Sequence, residues 1–279
     1  MLQDKKIAVV GPGVMGNTIA LSLINTGGLS PQQIIMAGPN QDRLNQLQTE
    51  LGVGISTDNN EAASAADVVI LAVKPQRLDQ AANALKGALC PGKLVISILA
   101  GVPLAALEQK LDTRCLVRAM PNTPARIGMG ISVWTKGADV TDEQHEMAAH
   151  IMQTLGEEIF VADEAYLDMA TALSGTGPAY VFLFMEAMID AGVHMGFPRR
   201  IAEQLVVQTL RGSTEFYLHS RGHPAQLRND VTSPGGTSAE ALYYLEKAGF
   251  RTAISRAIWA AYQRGIELGK GISKQGLEG

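Results

Sequence analysis

A short apolar run that stops on glycine and restarts as a helix leaves this chain the fewest options. Residues 7–24 read IAVVGPGVMGNTIALSLI, so Gly11, Gly13 and Gly16 form G-x-G-x-x-G between a predicted strand and a predicted helix. In such a turn the first glycine permits the tight bend. The second lets backbone approach a pyrophosphate, and the third lets the helix pack against the strand. Val14 and Met15 open the helix, whose unpaired N–H groups and positive end attract phosphate. A tight turn without a ligand is the alternative; the strand–turn–helix setting favours a bound dinucleotide.

The chain around this turn alternates. Apolar runs at KIAVV, QQIIMAG, DVVILAV, KLVISIL and RCLVRAM are separated by Ala-, Leu- and Gln-rich stretches of helical character. Alternation of this kind implies an α/β fold, a doubly wound parallel sheet with helices on both faces. Ligands of such sheets lie at the carboxyl ends of the strands. The loops expected there are LAVKPQ, with Ala72, Val73, Lys74 and Pro75; ILAGVP, with Ala100 and Gly101; and RAMPNTPA, with Asn122. Lys74 is either a cofactor clamp or catalytic cation, or a surface lysine. The second strand runs into AGPNQDR. An NAD site usually carries Asp or Glu there for the ribose hydroxyls; this chain has Gly38, followed by Asn40 and Arg43. With no carboxylate to repel a ribose phosphate, and Arg43 available to pair with it, NADPH is expected over NADH. The alternative is that Arg43 is a solvated helix residue.

Composition excludes several other classes. The chain has 279 residues, 46% of them hydrophobic and 18% charged, which suits a globular protein of two domains. A net charge of −4 gives no electrostatic reason to expect nucleic acid. Cys90 and Cys115 have neither metal nor redox spacing and read as buried structural thiols. His219 and His223 flank Gly222 and precede Pro224, which break any helix that would aim both at zinc, so no metal site is expected. The start of the chain reads as a first strand rather than a signal peptide. AYVFLFMEAMIDAG carries Glu186 and Asp190 and looks too short to cross a bilayer. A soluble, cytoplasmic protein without a membrane partner is the expectation.

From about residue 164 the pattern becomes helical throughout, so residues 1–163 and 164–279 are expected as separate domains. Pro178 fits a first helical position, and Gly192, Gly196 and Gly249 fit helix ends. The helices are very apolar, which suggests burial against a second subunit; packing on the first domain is the alternative. Within them, residues 229–245 read NDVTSPGGTSAEALYYL. Pro234, Gly235 and Gly236 make a turn that exposes N–H groups at a helix start, with Thr237 and Ser238 at the cap and Ser233 before it. Such a place attracts an anion, and a substrate carboxylate is one candidate. A helix cap without ligand is the other reading.

Taken together, GPGVMG, LAVKP, AMPNTP, ALSGTGPAYVF and LRNDVTSPGGTSAEALYYLEKAGFR resemble the pyrroline-5-carboxylate reductase family along nearly the whole chain. Pro12 and Val14 replace the Ala and Asn frequent in the family's glycine turn, and Ser238 stands where many members have Thr. The resemblance implies an N-terminal Rossmann domain for NADPH or NADH, followed by an all-α domain that interlocks with a partner. Homodimers are implied, and pentamers of dimers occur in the family. Asn59 matches a position near the adenosine end of the cofactor. A cyclic imine acid would be gripped through its carboxylate by Ser233, by backbone near Gly235, Gly236 and Thr237, and by Ser238. Ser238, with Thr237 beside it, is the implied hydroxyl for catalysis at the ring nitrogen.

Two rivals remain at this level. A 3-hydroxyacid dehydrogenase shares the layout but needs a catalytic Lys early in the second domain, and LSGTGPAYVFLFMEAM has none. A non-catalytic NADP sensor would bind cofactor yet leave cyclic imines untouched. A broader imine reductase also fits the same residues.

Overall fold

The computed structural model describes residues 2–269. Residues 270–279 of the expected second domain lie outside it. Two compact units result: one holds the chain up to Thr176 together with the chain from Ala261 onward, and the other is Gly177–Ala260.

The first unit is built on an eight-stranded sheet. Its strands are β1 (Ile7–Val10), β2 (Ile34–Ala37), β3 (Gly54–Ser56), β4 (Val68–Leu71), β5 (Leu94–Ser97), β6 (Leu116–Met120), β7 (Gly130–Lys136) and β8 (Gly156–Phe160). They lie in the order β3-β2-β1-β4-β5-β6-β7-β8. The first six are parallel and in the doubly wound order, with Ile7 of β1 beside both Ile34 of β2 and Val68 of β4. The chain reverses direction on the sheet at β1 and β4, which leaves a crevice at their carboxyl ends.

The expected parallel sheet is therefore present but larger. β3, β7 and β8 join the five predicted strands, and β7 runs antiparallel to β6. β3 was hidden by its three residues, GIS, and β8 by the two glutamates in GEEIF.

Strand alternation sorts the core onto two faces. Ile7, Val9, Ile34, Met36 and Ile70 meet α1 (Val14–Asn25), α2 (Gln41–Leu51) and α6 (Asp142–Gln153) through Ile19, Leu23, Leu44, Leu47 and Ile151. Ala8, Val10, Val69, Leu71 and Val95 meet α3 (Asn59–Ser64), α4 (Leu78–Ala84) and α5 (Leu104–Leu111) through Ala62, Leu78, Ala82 and Leu107. Full burial of such a side chain is worth about 1.5–3 kcal/mol. Cys90 is exposed and Cys115 half-buried, so neither is the buried thiol expected. Both sit beside the core rather than in it.

Among the described residues one charged side chain is buried. Arg118 on β6 is only 3% exposed. Its guanidinium donates to Glu164 Oε1 at 2.8 Å and to Asp168 Oδ1 at 2.6 Å. Glu164 precedes α7 (Ala165–Ala170) and also accepts the Leu104 N–H at 2.7 Å, at the start of α5. Thus one buried cation ties a central strand to two helices.

After α7 the helix widens into a single π turn over Thr171–Gly175, where the Thr176 N–H donates to Thr171 O at 2.8 Å. α8 (Gly177–His194) then begins with Pro178 at its second position. Taken together, Ala165–His194 is long and apolar enough to cross a membrane by length and composition. This corrects the expectation that the segment is too short, because α7 and the π turn extend it on the N-terminal side of α8.

The second unit continues with α9 (Arg199–Ser220), α10 (Pro224–Asp230) and α11 (Thr237–Lys247), and ends within α12 (Phe250–Gly269). α10 was not predicted; the His223 side chain caps it by accepting the Ala225 N–H at 3.1 Å. Gly192 does not end a helix. It lies inside α8, where a Cβ would come 3.0 Å from Ala202 of α9, so its role is close helix packing. Asp190 accepts from Arg199 at 2.7 Å between α8 and α9, and that hydrogen bond, followed by the carboxylate's charge, raises the guanidinium's pKa. Large apolar side chains stay exposed on this unit, among them Phe182, Leu183, Leu205, Phe216, Leu218 and Tyr244.

The Arg118 cluster generates a stability prediction. Glu164→Ala with Asp168→Ala leaves a buried guanidinium unpaired and should cost about 3–5 kcal/mol. Arg118→Met should cost less, because the stranded carboxylates are 30% and 26% exposed and can be hydrated. Urea unfolding of the two variants checks the order; equal losses would contradict it.

Candidate functional site: a glycine-lined sheet edge and an uncapped helix

The β1–α1 turn is set by contact with β4. Gly11 has φ +113°, and a Cβ there would lie 2.7 Å from the backbone C and O of Ala72. Its N–H donates to Ala37 O at 2.9 Å, and the Ala72 N–H donates to Val10 O at 2.8 Å. Gly16 is equally crowded, with a Cβ falling 2.2 Å from Gly11 O. Gly13 differs: nothing lies within 4 Å of its Cβ position. It is the N-cap of α1 and offers no side-chain cap, so the first-turn N–H groups are left to an external acceptor. Val14 is exposed and Met15 half-buried beside it. Crowding at the first and third glycines and open space at the second are what a pyrophosphate needs.

The same edge collects the other residues expected at the cofactor. Gly38 directly follows β2 and is buried, while Asn40 accepts the Arg43 N–H at 3.0 Å as the N-cap of α2. The Arg43 side chain donates to Pro12 O at 3.5 Å and to Gln46 Oε1 at 3.3 Å. Ala72 and Val73 are half-buried at the exit of β4; Lys74 is exposed and caps a short 3-10 turn begun by Pro75. Asn59 opens α3, and its Oδ1 is buried with no hydrogen-bond partner among the described residues. An orphaned acceptor at this edge fits a group that arrives with a ligand.

Two expected positions have structural duties visible in the fold. Gly101, with φ +75°, is covered by α12: its Cβ would lie 2.6 Å from Gly265 O. Close helix approach therefore accounts for this glycine, with half-buried Ala100 beside it. The Asn122 side chain accepts the Ile131 N–H at 3.0 Å and donates to Ser174 O at 3.2 Å, joining the β6 exit to the π turn. Gly175 of that turn packs on Met120, whose Cε would be 2.6 Å from a Cβ there. Sequence reasoning missed the π turn and Arg118; the signal for the latter was a charge inside the apolar run LVRAM.

In the second unit, the loop before α11 departs from expectation in one detail. The N-cap is Gly236, not Thr237 or Ser238, which are the first two helical residues. Gly235 takes φ +71°, and the Gly236 N–H is already used by Ser233 O at 3.0 Å. The N–H groups of Thr237, Ser238 and Ala239 therefore form the open helix start, since Gly236 has no side chain to cap them. A Cβ on Gly236 would lie 2.5 Å from Ser233 Oγ, so that hydroxyl leans over the cap. Ser233 and Thr237 are exposed and Ser238 half-buried. Hydroxyls and amide donors surround this helix end, and no ionisable side chain lies between Ser233 and Ala239.

Comparison with known proteins matches both parts. Residues 164–268 match the family described as pyrroline-5-carboxylate reductase dimerisation, and residues 6–101 match the family described as NADP oxidoreductase coenzyme F420-dependent. Pyrroline-5-carboxylate reductase of Synechocystis sp. is 42% identical over 95% of this chain and 98% of its own length. That of Escherichia coli K12 is 37% identical over 96% and 99%. Among solved structures, Plasmodium falciparum pyrroline carboxylate reductase with NADP bound superposes with a TM-score of 0.89 at 32% identity, covering 96% of this chain and 99% of that one. The Coxiella burnetii pyrroline-5-carboxylate reductase gives 0.84 at 36% identity, covering 95% and 98%. The apolar helices exposed in the second unit thus coincide with an oligomerisation region. An N-terminal Rossmann unit, an uncapped serine-rich helix start and this degree of identity along the whole length establish that the chain belongs to the pyrroline-5-carboxylate reductase family.

Proposed function

We propose that this protein reduces the imine of 1-pyrroline-5-carboxylate to L-proline with NADPH, accepting NADH less well, as the last step of proline biosynthesis. The observation that carries the reading is the α11 start, where three open N–H groups and the hydroxyls of Ser233, Thr237 and Ser238 gather without an ionisable side chain. That chemistry suits a small anion held for orientation, not a metal or a charged nucleophile. Residues 1–163 form the dinucleotide-binding part of this reading and residues 164–279 the part for substrate and dimerisation.

Gly11, Gly13, Val14, Met15 and Gly16 would hold the pyrophosphate, and Asn40, Arg43 and Asn59 the adenosine side. Ala72, Val73, Lys74, Pro75, Ala100, Gly101 and Asn122 belong to loops that would line the cofactor. A bound nicotinamide supplies the hydride. The chain's own task is orientation. Backbone N–H groups at Thr237 and Ser238, with Ser233 Oγ, grip the carboxylate and so fix which face of the ring is presented. Orientation of this kind is worth about 7–11 kcal/mol in favourable cases. Ser238 Oγ, with Thr237 beside it, hydrogen-bonds the ring nitrogen and steadies its proton. A protonated imine is already electrophilic, so no stronger acid is needed.

The same reading makes the protein a cytoplasmic homodimer, with a pentamer of dimers as its larger form. Exposed Phe182, Leu183, Leu205 and Phe216 support association, because apolar surface on this scale is stabilised by a partner.

Oxidation of NADPH that depends on added 1-pyrroline-5-carboxylate tests the activity, followed as loss of absorbance. Cofactor binding without turnover on any cyclic imine acid would instead favour a sensor. Ser238→Ala should lower kcat by about 10²-fold or more while NADPH affinity stays within about twofold; wild-type turnover would remove Ser238 from the chemistry. Gly236→Val should raise the substrate KM by about tenfold, because its Cβ displaces Ser233 Oγ and crowds the open N–H groups. An unchanged KM would contradict the anion site.

A further inference from the structure

We propose that Pro12 is a specificity-determining residue: its ring keeps position 38 free of any side chain, which excludes the ribose-binding carboxylate of NAD sites and favours a phosphate-bearing dinucleotide. The proposal rests on the NADPH preference above and supplies its cause.

Position 38 directly follows β2, where NAD-binding sheets carry Asp or Glu. Its backbone would accept an ordinary residue, since Gly38 is not among the glycines with positive φ. What forbids a side chain is one neighbour. A Cβ on Gly38 would lie 2.5 Å from Pro12 Cδ and 2.9 Å from Pro12 Cγ. The next nearest atom is Pro12 N, at 3.9 Å. The obstruction is therefore the pyrrolidine ring alone, and it sits where the wall has no slack. The ring is closed onto its own backbone nitrogen and cannot rotate aside as an open side chain would. On either side the backbone is pinned, by Gly11 N–H to Ala37 O at 2.9 Å and Gly38 N–H to Ser56 O at 3.2 Å. Neither strand exit can retreat without breaking a ladder.

Pro12 has a second effect in the same direction. Its carbonyl accepts from Arg43 Nε at 3.5 Å. Among the described residues Arg43 forms no ion pair, so its charge is left for a ligand phosphate. The ring at position 12 thus removes the acid, while the backbone carbonyl there, which any residue would supply, steadies the cation.

Four proteins test this: wild type, Gly38→Asp, Pro12→Ala, and the double variant. Each is titrated with NADPH and with NADH by fluorescence, and its Tm is measured. Gly38→Asp alone should lower Tm by roughly 5 °C through overpacking and weaken both cofactors. In the Pro12→Ala background the same substitution should cost little Tm. The double variant should move the ratio of NADPH to NADH affinity by about tenfold or more toward NADH. Pro12→Ala alone should still bind NADPH the more tightly, because position 38 remains bare and Arg43 remains in place. Equal Tm losses for Gly38→Asp in both backgrounds would overturn the steric claim. A double variant with the wild-type affinity ratio, or a wild type that binds NADH more tightly, would overturn the claim on specificity. Cofactor titration needs no imine, so failure of the reduction assay and failure of this proposal are read separately.

Discussion

The structure turns on how closely the exits of β1, β2 and β4 approach one another. At that edge Gly11 presses on the backbone of Ala72, Gly16 on Gly11, and Gly38 on the ring of Pro12. At each contact a single added carbon would fall well inside van der Waals distance. The approach is possible only because those positions carry hydrogen alone. It sets the angle at which α1 leaves the sheet, and so the direction of its open N-terminal end. Gly13 is the exception that gives the arrangement a use, since the space beside it is open.

Within the same unit, α7 depends on the sheet through a different kind of interaction. Arg118 brings a full charge into β6 and is answered by Glu164 and Asp168 at the root of α7. A buried cation demands its partners far more strictly than an apolar contact does, because the unpaired state is so costly. The π turn that follows has a related effect. It lies between α7 and α8, and Asn122 and Met120 anchor it to the β6 exit. Asn122, which looks like a cofactor contact in the sequence, thereby also holds the π turn in place.

The second unit illustrates why apolar content alone misleads. Phe182, Leu183 and Leu218 sit in helices, yet they are exposed. The stretch Ala165–His194 satisfies the length and hydropathy of a membrane span. The same residues fall within a region that matches a dimerisation family. A protein surface and a lipid surface both favour apolar side chains, and hydropathy does not separate them.

Local grammar made much of this protein readable. Strand, glycine turn and helix follow one another within a few residues, so the β1–α1 turn, the alternation of the sheet and the helical second half were all written in the order of the chain. The cluster of hydroxyls and glycines before α11 was legible for the same reason. What stayed hidden depends on atoms distant in sequence. The short β3 and the charged β8 became strands only by pairing. Gly192 read as a helix end until Ala202 was seen against it, and the contact of Gly265 with Gly101 is equally invisible along the chain. Pro12 looked like a minor departure inside a glycine turn; its meaning appeared when Gly38 was brought beneath its ring. The sequence determined which elements form and which chemistry they carry, because those follow from neighbours along the chain. Only the tertiary structure decided which positions have no room for a side chain, because steric exclusion is a property of neighbours in space.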